Sequence, residues 1–490
     1  MIRFFRKSLI CEEAMEHVAG RSRYQSELMP PSLDEVVGFG NVVRVIDGFV
    51  DGLDLRRLEF QRVETAATGR PPYAPGDLLK LYIYGYMNQM RSSRRLEREA
   101  QRNLEVCWLI DRLRPSFKTI ADFRRDHAQA IVATCREFIR FCRGQSMMGG
   151  AIAAIDGTKL LAVASGKKVV TAKALEERLA AIEAKVRDHL KAMDEADREE
   201  GEEDEARVDV KAALETLEQQ RADIQRQAEA LTLDGLRQRV EGEEEARLMR
   251  TPRHGPQVAY NAQIAVDSKH KLIAAFELTN EGNDERQLHP MAIEAKQALD
   301  VESLTVVADT GYSNGEQGEQ CARDGIVAIV PRPVVVNPKG EGLFTREAFA
   351  YDAAEDAYRC PAGQTLTRFK VSNTEKKWEY RTSACGDCAL KTQCTKAAQR
   401  SIVRGFHEEA RQAMDARAKA DRSWMKLRLG LVEHPFGTMK WMMGSPRFLV
   451  RGLTKAKSEL ALGVLGFNLK RMVTILGAPR LIEALAAGAG

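Results

Sequence analysis

No apolar run of roughly 18 residues, the length a helix needs to cross a bilayer, occurs in this 490-residue chain. No membrane span is expected. The N-terminus, Met1-Ile2-Arg3-Phe4-Phe5-Arg6-Lys7, is basic, but the apolar core of a secretion signal does not follow it, so the chain is expected to stay in the cytoplasm. Net charge is also scarce: 74 Lys and Arg face 70 Asp and Glu, leaving +4, and the whole-chain balance names no partner. Cysteines number nine. In a cytoplasmic chain they read as buried thiols or metal ligands rather than disulfides. What is present is apolar material, 44% of residues, enough for a sizeable core and about two to four domains.

Charge is informative locally. Arg70 to Met148 carries 15 Lys and Arg against 8 Asp and Glu, an excess suited to phosphates. The acidic stretch from Asp194 to Glu205 offsets it in the total. Leu28 to Gln145 reads as helical. Pro75-Gly76-Asp77 opens an apolar, aromatic helix from Leu78 to Tyr86, and Ser92 to Glu99 is highly charged. Ser116 or Thr119 is placed to cap Ile120 to His127. Short consecutive helices with basic faces suit a helix-turn-helix-like DNA-binding module, with Arg94, Arg95, Arg124 and Arg125 as phosphate contacts. An ordinary helical domain with solvated arginines explains them equally well.

Strand patterns begin at Ala151. Ala151 to Asp156 and Leu160 to Ala164 read as strands, and Gln257 to Val266 with Leu272 to Leu278 as a hairpin. A helix fits Glu285 to Leu299, a buried strand Leu304 to Ala308, a helix Asn314 to Asp324, and a strand Ile326 to Val330. Antiparallel strands followed by helix, strand, helix, strand make a mixed α/β layer. It is also the strand order of an RNase H-like fold that still lacks a final helix.

Two insertions interrupt it. Leu175, Leu179, Ile182, Val186 and Met193, then Val210, Leu214, Leu217, Ile224 and Leu231, recur at mostly helical spacing on either side of the acidic Glu199 to Asp204. An antiparallel helical hairpin with an acidic tip is the simplest reading, and an intermolecular coiled coil the alternative. Val334 to Ala420 reads as loop-rich and holds four cysteines. Lys455 to Leu476 reads as a core-closing helix, and the tail after Leu485 as frayed. The division is 1–148 helical and DNA-binding, 149–170 core, 171–247 helical hairpin, 248–333 core, 334–420 Cys-rich insertion, 421–476 final core helices, and 477–490 tail.

Three acidic motifs carry the chemistry. Asp156, in Ala154-Ile155-Asp156-Gly157-Thr158-Lys159, and Asp309, in Val306-Val307-Ala308-Asp309-Thr310-Gly311-Tyr312, each end an apolar run and read as strand exits, although a strand-end Asp before Gly is often only a turn residue. A carboxylate at the edge of a buried sheet is costly to desolvate unless a cation or donor meets it. Glu433, in Val432-Glu433-His434-Pro435-Phe436-Gly437-Thr438-Met439-Lys440, lies in a cationic helical stretch. Lys426 and Lys440 stand two turns to either side of it, which an ion-pair ladder would also explain. Two strand-end Asp residues and a helical Glu are the hard oxygen donors that two divalent metals need for phosphate chemistry. Tyr312 is placed to pack beside a nucleotide. His434 suits phosphate contact, base work or a local hydrogen bond. Pro435 breaks the helix unless it lies in a first turn. Cys385-Gly386-Asp387-Cys388, with Cys360 and Cys394, supplies four thiolates for a structural Zn²⁺, or four reduced thiols in a small β-rich insert.

These motifs, in this order, resemble the DDE transposases of bacterial insertion sequences, specifically the insertion-sequence-1182-like group, related to the insertion-sequence-4 and insertion-sequence-5 families. The resemblance runs from the Pro72-to-His127 region through Tyr260-Asn261-Ala262-Gln263, Thr279-Asn280-Glu281-Gly282-Asn283-Asp284 and Tyr358-Arg359-Cys360-Pro361-Ala362-Gly363-Gln364 to Leu465-Gly466-Phe467-Asn468-Leu469-Lys470-Arg471. It implies an RNase H-like core in which Asp156, Asp309 and Glu433 bind Mg²⁺ or Mn²⁺, two ions per active site. It makes Lys440 a DNA-phosphate contact. The insertion-sequence-4 pattern places a Tyr and then an Arg four residues before the Glu. Here Leu429 holds that place, Arg428 lies five before and is the candidate for this DNA-binding cation, and Met425 sits where the Tyr would be. The implied partners are double-stranded DNA, as terminal inverted repeats and target, and a second copy of the chain or more in the DNA complex. The implied reaction is strand cleavage and transfer. A nuclease of the same fold that cuts without joining, and a non-catalytic DNA-binding derivative, are the alternatives.

Overall fold

The structure, a computed structural model, describes residues 31–64, 71–196, 204–233, 235, 238–251, 255–333 and 342–488. The side chains of 192–196, 204–211 and 488 are outside it too. Cys11, the basic N-terminus, the acidic tip Glu199 to Glu203, and the Met193 and Val210 side chains of the heptad pattern therefore lie outside the described residues.

The N-terminal region is helical, with helices at Leu33–Val36, Val42–Asp51, Pro75–Met87, Ser93–Arg102, Leu104–Leu109, Phe117–Asp126 and Ala128–Gly144. Pro75 opens its helix at the first turn, where no N–H is missed. Eleven of that helix's 13 residues are buried, as a helix apolar on every side must be. Its one ammonium, Lys80, pairs with Asp47 and Asp51 at 2.6 and 2.7 Å. Between the two candidate caps the fold uses Ser116, whose hydroxyl accepts from the Thr119 amide at 3.2 Å.

The central sheet is mixed. β1 (Ile152–Leu161) pairs antiparallel with β5 (Gly255–Asp267). β4 (Arg247–Thr251) and β6 (Ile273–Thr279) share the other edge of β5 end to end, both antiparallel. On its free side β1 pairs parallel with β7 (Leu304–Val307), and β7 with β8 (Ile326–Ile329). The two strands expected on either side of Asp156 are thus one strand, with Asp156 near its middle. Gly157 makes no turn. It lies opposite Gln263 in the pairing register, and a Cβ there would stand 2.4 Å from the Gln263 amide nitrogen. The missing side chain lets strand and side chain approach.

Helices Leu288–Leu299 and Gly315–Arg323 link β6 to β7 and β7 to β8. The Leu453–Leu476 helix, buried along most of its length, packs against Pro75–Met87, Ala128–Gly144 and β6. Within it the Asn468 amide meets both the N–H and the C=O of Ile273 at 2.9 Å. Glu459 is fully buried and pairs with Arg91 at 2.8 Å, tying this helix to the N-terminal region. Among the described residues no single helix is long and apolar enough to cross a membrane.

The helices Ala172–Ala196 and Asp204–Leu233 pair antiparallel within the chain. Leu175 and Leu231 cluster with Val170 at their base, beside the ribbon of β2 (Val169–Thr171) and β3 (Gln238–Val240). The region read as loop-rich, with a small β-rich insert around its cysteines, is strand-rich: β9 (Ala350–Asp352), β10 (Ala357–Arg359), β11 (Thr365–Ser372), β12 (Lys377–Arg381) and β13 (Ser401–Gly405) form one antiparallel sheet. Its core is Phe349, Tyr358, Leu366, Tyr380 and Ile402, a set too small and too widely spaced to show as periodicity. The Glu408–Ala420 helix that follows returns to the central sheet, with Ala418 against Val307 and Ile329. The tail forms a helix, Ala478–Gly488, whose Leu485 packs beside Gly48.

Candidate functional site

Asp309 follows the last residue of β7 and turns the chain. Its side chain accepts from the Gly311 amide at 2.8 Å and caps the short 3-10 turn Thr310–Tyr312. The parallel register sets Val307 opposite Ala154, so, continued by two residues, it brings Asp309 level with Asp156. β1 outruns β7 here, and the notch between them holds both carboxylates. Asp156 accepts from its neighbour's amide, Gly157 N–H, at 2.8 Å.

The third member comes from the Ser423–Met443 helix, which crosses β1. Arg428 Nη2 lies 2.7 Å from Asp156 Oδ1 and 3.1 Å from Asp309 Oδ2, so one guanidinium spans both carboxylates. Its Nε is buried without an acceptor among the described residues. Burial pushes the Asp156 carboxyl up to about 6, Arg428 opposes this, and the Asp309 charge adds to it. Leu429 is an exposed hydrophobic residue. Pro435 does not break the helix, although it lies well past the first turn. Leu431, Val432, Pro435, Phe436 and Met439 are all buried, and packing outweighs the lost hydrogen bond, about 3 kcal/mol.

Lys440 Nζ donates to Thr158 Oγ1 at 2.7 Å, one step along β1 from the pair. Glu433 lies on nearly the same helix stripe as Lys440, two turns earlier. It is exposed and makes no hydrogen bond or ion pair with a described residue. Among the described residues no three His, Cys, Asp or Glu side chains stand where they would hold a metal ion. The donor chemistry of the notch nevertheless fits a hard cation. It offers two facing carboxylates, a positive group between them that stands where such a cation would sit, and a buried acceptor, Asn261 Oδ1, without a donor among the described residues.

Other expected contacts fall elsewhere. Tyr312 is fully buried and its hydroxyl donates to Gln263 Oε1, so it has no face for a nucleotide. Arg124 is buried over the Tyr82 ring, 5.5 Å from its centroid, and cannot reach a phosphate as placed. Arg125 is exposed but pairs with Asp122 and Asp126 at 2.6 and 2.7 Å. Arg94 stacks over Phe117, and Arg95, also exposed, donates to the Gln89 carbonyl. His434 is exposed and lies edge-on to Phe467. Its pKa is lowered, chiefly by partial burial and then by Arg471 and Lys271.

Cys360, Cys385, Cys388 and Cys394 line one small cavity beside β10 and β11. The Gln364 amide donates to Cys360 Sγ at 3.3 Å. Burial pushes the Cys394 thiol up, opposed by Arg400, and the other three thiols add to the rise.

Asn261, Gln263 and Asp284 stand in the sequence only as part of the resemblance, with no role assigned to their side chains. Their signal was the alternation of two amides in an otherwise apolar strand, which has no purpose on a buried face without a polar partner.

Residues 359–473 match a family model described as transposase DDE domain, and residues 31–126 one described as transposase domain (DUF772). Together these stretches span under half of the chain. Arg428, Glu433 and Lys440 fall inside the first, while Asp156 and Asp309 lie outside both. No curated protein matches. A solved structure, the cryo-EM structure of the piggyBac transposase synaptic complex with hairpin DNA, aligns over 92% of this chain and 80% of that chain, at 9% identity and a TM-score of 0.34. At that similarity the likeness shows neither fold nor function. The chain thus has two regions similar to transposase families, the C-terminal one to the DDE type.

Proposed function

We propose that this chain is a DNA transposase of the insertion-sequence-1182-like kind, acting in the bacterial cytoplasm at the nucleoid. It would bind terminal inverted repeats through its N-terminal helices and cleave and join strands at the Asp156–Asp309 notch. The observation that carries this reading is the Arg428 guanidinium bridging those two carboxylates, one near the middle of β1 and one just past the end of the parallel β7. Three antiparallel strands followed by two parallel ones also support an RNase H-like core.

In this reading Asp156 and Asp309 would hold the divalent ions, two per site, with Glu433, whose side chain has no partner among the described residues, as third carboxylate. Bound Mg²⁺ or Mn²⁺ supplies activation of a water or 3′-hydroxyl and stabilises the leaving oxygen. Arg428 offsets the charge of the two carboxylates, and Lys440, beside Thr158, meets a DNA phosphate. The exposed Arg94, Arg95 and Arg125 serve the repeats, and His434 lies on the same exposed helix surface as Glu433. The chain works on paired ends as a dimer or larger assembly. The four cysteines line one cavity and would bind a structural Zn²⁺ in the insertion only by drawing closer together, since as placed no three of them stand where they would hold the ion.

The test uses the full chain with DNA carrying the repeats that flank its own gene. Asp156→Ala, Asp309→Ala and Glu433→Ala are each expected to abolish Mg²⁺-dependent cleavage while DNA binding survives. Wild-type-level cleavage by any one removes that residue from the site. Precut ends that are never joined would favour a nuclease over a transposase.

A further inference from the structure

Asp284, in the loop after β6, reaches back over β5. Its Oδ1 accepts from Asn261 Nδ2 and Gln263 Nε2, both at 2.7 Å, with Lys159 Nζ at 3.5 Å. Asn261 and Gln263 are fully buried and sit two residues apart, on one face of a strand whose residues from Val258 to Val266 are otherwise apolar or aromatic. Burying two primary amides is unfavourable unless each is hydrogen-bonded, and Asp284 is the acceptor they share. The chain of bonds continues: Gln263 Oε1 accepts from the buried hydroxyl of Tyr312, three residues after Asp309.

Two glycines show how tightly this carboxylate is fitted into the notch. A Cβ on Gly157, beside Asp156, would stand 2.9 Å from Asp284 Oδ1. A Cβ on Gly311, whose amide donates to Asp309, would stand 3.7 Å from Asp284 Oδ2. Asp284 is therefore wedged between the residue after Asp156 and the turn that carries Asp309. It is a third negative charge at the notch, fixed by two amides and an ammonium, while Arg428 neutralises only the other two.

We propose that Asp284 is a positioning residue for the Asp156–Asp309 pair: through Gln263 and Tyr312 it fixes the turn bearing Asp309, and its charge strengthens the hold of the notch on a divalent cation. The proposal rests on the reading of that notch as a cation site. It assigns Asp284 no contact with the ion.

The experiment is Mn²⁺ binding to the full, DNA-free chain, followed by calorimetry. Asp284→Asn keeps the shape and the acceptor oxygen but removes the charge. It is expected to weaken Mn²⁺ binding about tenfold, as loss of a supporting group around a metal commonly does. Tyr312→Phe, which cuts the far end of the chain and leaves every charge in place, is expected to weaken it about threefold by loosening the Asp309 turn. Both should melt within a few degrees of wild type. If both bind Mn²⁺ as wild type does, while Asp156→Asn does not, the cation site stands and the role of Asp284 is overturned. If wild type itself binds no Mn²⁺, the reading of the notch falls, and this proposal with it.

Discussion

Replacing Asp156 by Asn should make the metal-free protein more stable, and by an amount that depends on pH. The unperturbed carboxyl titrates near 3.8, and burial carries it to about 6 in the fold despite Arg428. A difference of about two units corresponds to about 3 kcal/mol. Because the folded value is the higher one, the folded state holds the proton more tightly. Stability from this group is greatest below about 4, falls as pH rises through about 6, and stays at its lower level above that. Asn is neutral throughout and can still offer Arg428 an oxygen. The variant should therefore match wild type near pH 3.5 and exceed it by up to about 3 kcal/mol at pH 8. For a chain of this size that is a rise in melting temperature of about 3–6 °C. The assay is thermal and urea unfolding in EDTA across this pH range. Equal or lower stability of Asp156→Asn at pH 8, or a gain that does not change with pH, would refute the reasoning.

Glu459→Ala leaves Arg91 buried without its carboxylate and should lower stability by about 3–5 kcal/mol, whereas Arg91→Met with Glu459→Met should recover most of it; urea denaturation of the three proteins decides. Gly85→Ala places a Cβ 2.6 Å from the Met90 carbonyl and 2.7 Å from Leu96. It should cost about 1–3 kcal/mol despite alanine's better helix propensity, and a melting temperature at or above wild type would contradict the packing. Metal analysis of purified protein should find one zinc per chain, and Cys388→Ser should lose it. A chain free of zinc as purified removes the idea that Cys360, Cys385, Cys388 and Cys394 are ligands.

The sheet was legible because β5, β6, β7 and β8 are apolar runs bounded by turn residues, and burial imposes that pattern on any sequence. The N-terminal helices were legible for the same reason, through Pro75 and Ser116. Asp156 was misplaced along its strand because Gly157 carries two meanings. A glycine after an apolar run signals a turn, and it equally signals close approach of another group, here Gln263. The five-stranded insertion was hidden because its strands are short and its core is held by four aromatic and aliphatic side chains and Tyr358. Arg428 lay one place from the expected position, and only the pitch of the helix over β1 shows that it reaches both carboxylates. Tyr312 and Arg124 looked functional by residue type, but burial turned both into support. Asp284 gave no local sign, since its partners lie more than 20 positions away.

Arg428 meets Asp309 across 119 positions of sequence and belongs to a helix that begins at Ser423. Synthesis runs from the N-terminus, and domains fold as they emerge. For the 119 positions of synthesis between Asp309 and Arg428 the growing chain therefore holds Asp156 and Asp309 but not the guanidinium that joins them, nor Glu433 and Lys440. Any activity that needs all of these groups begins only once the Ser423–Met443 helix has been made, and a fragment released earlier lacks it.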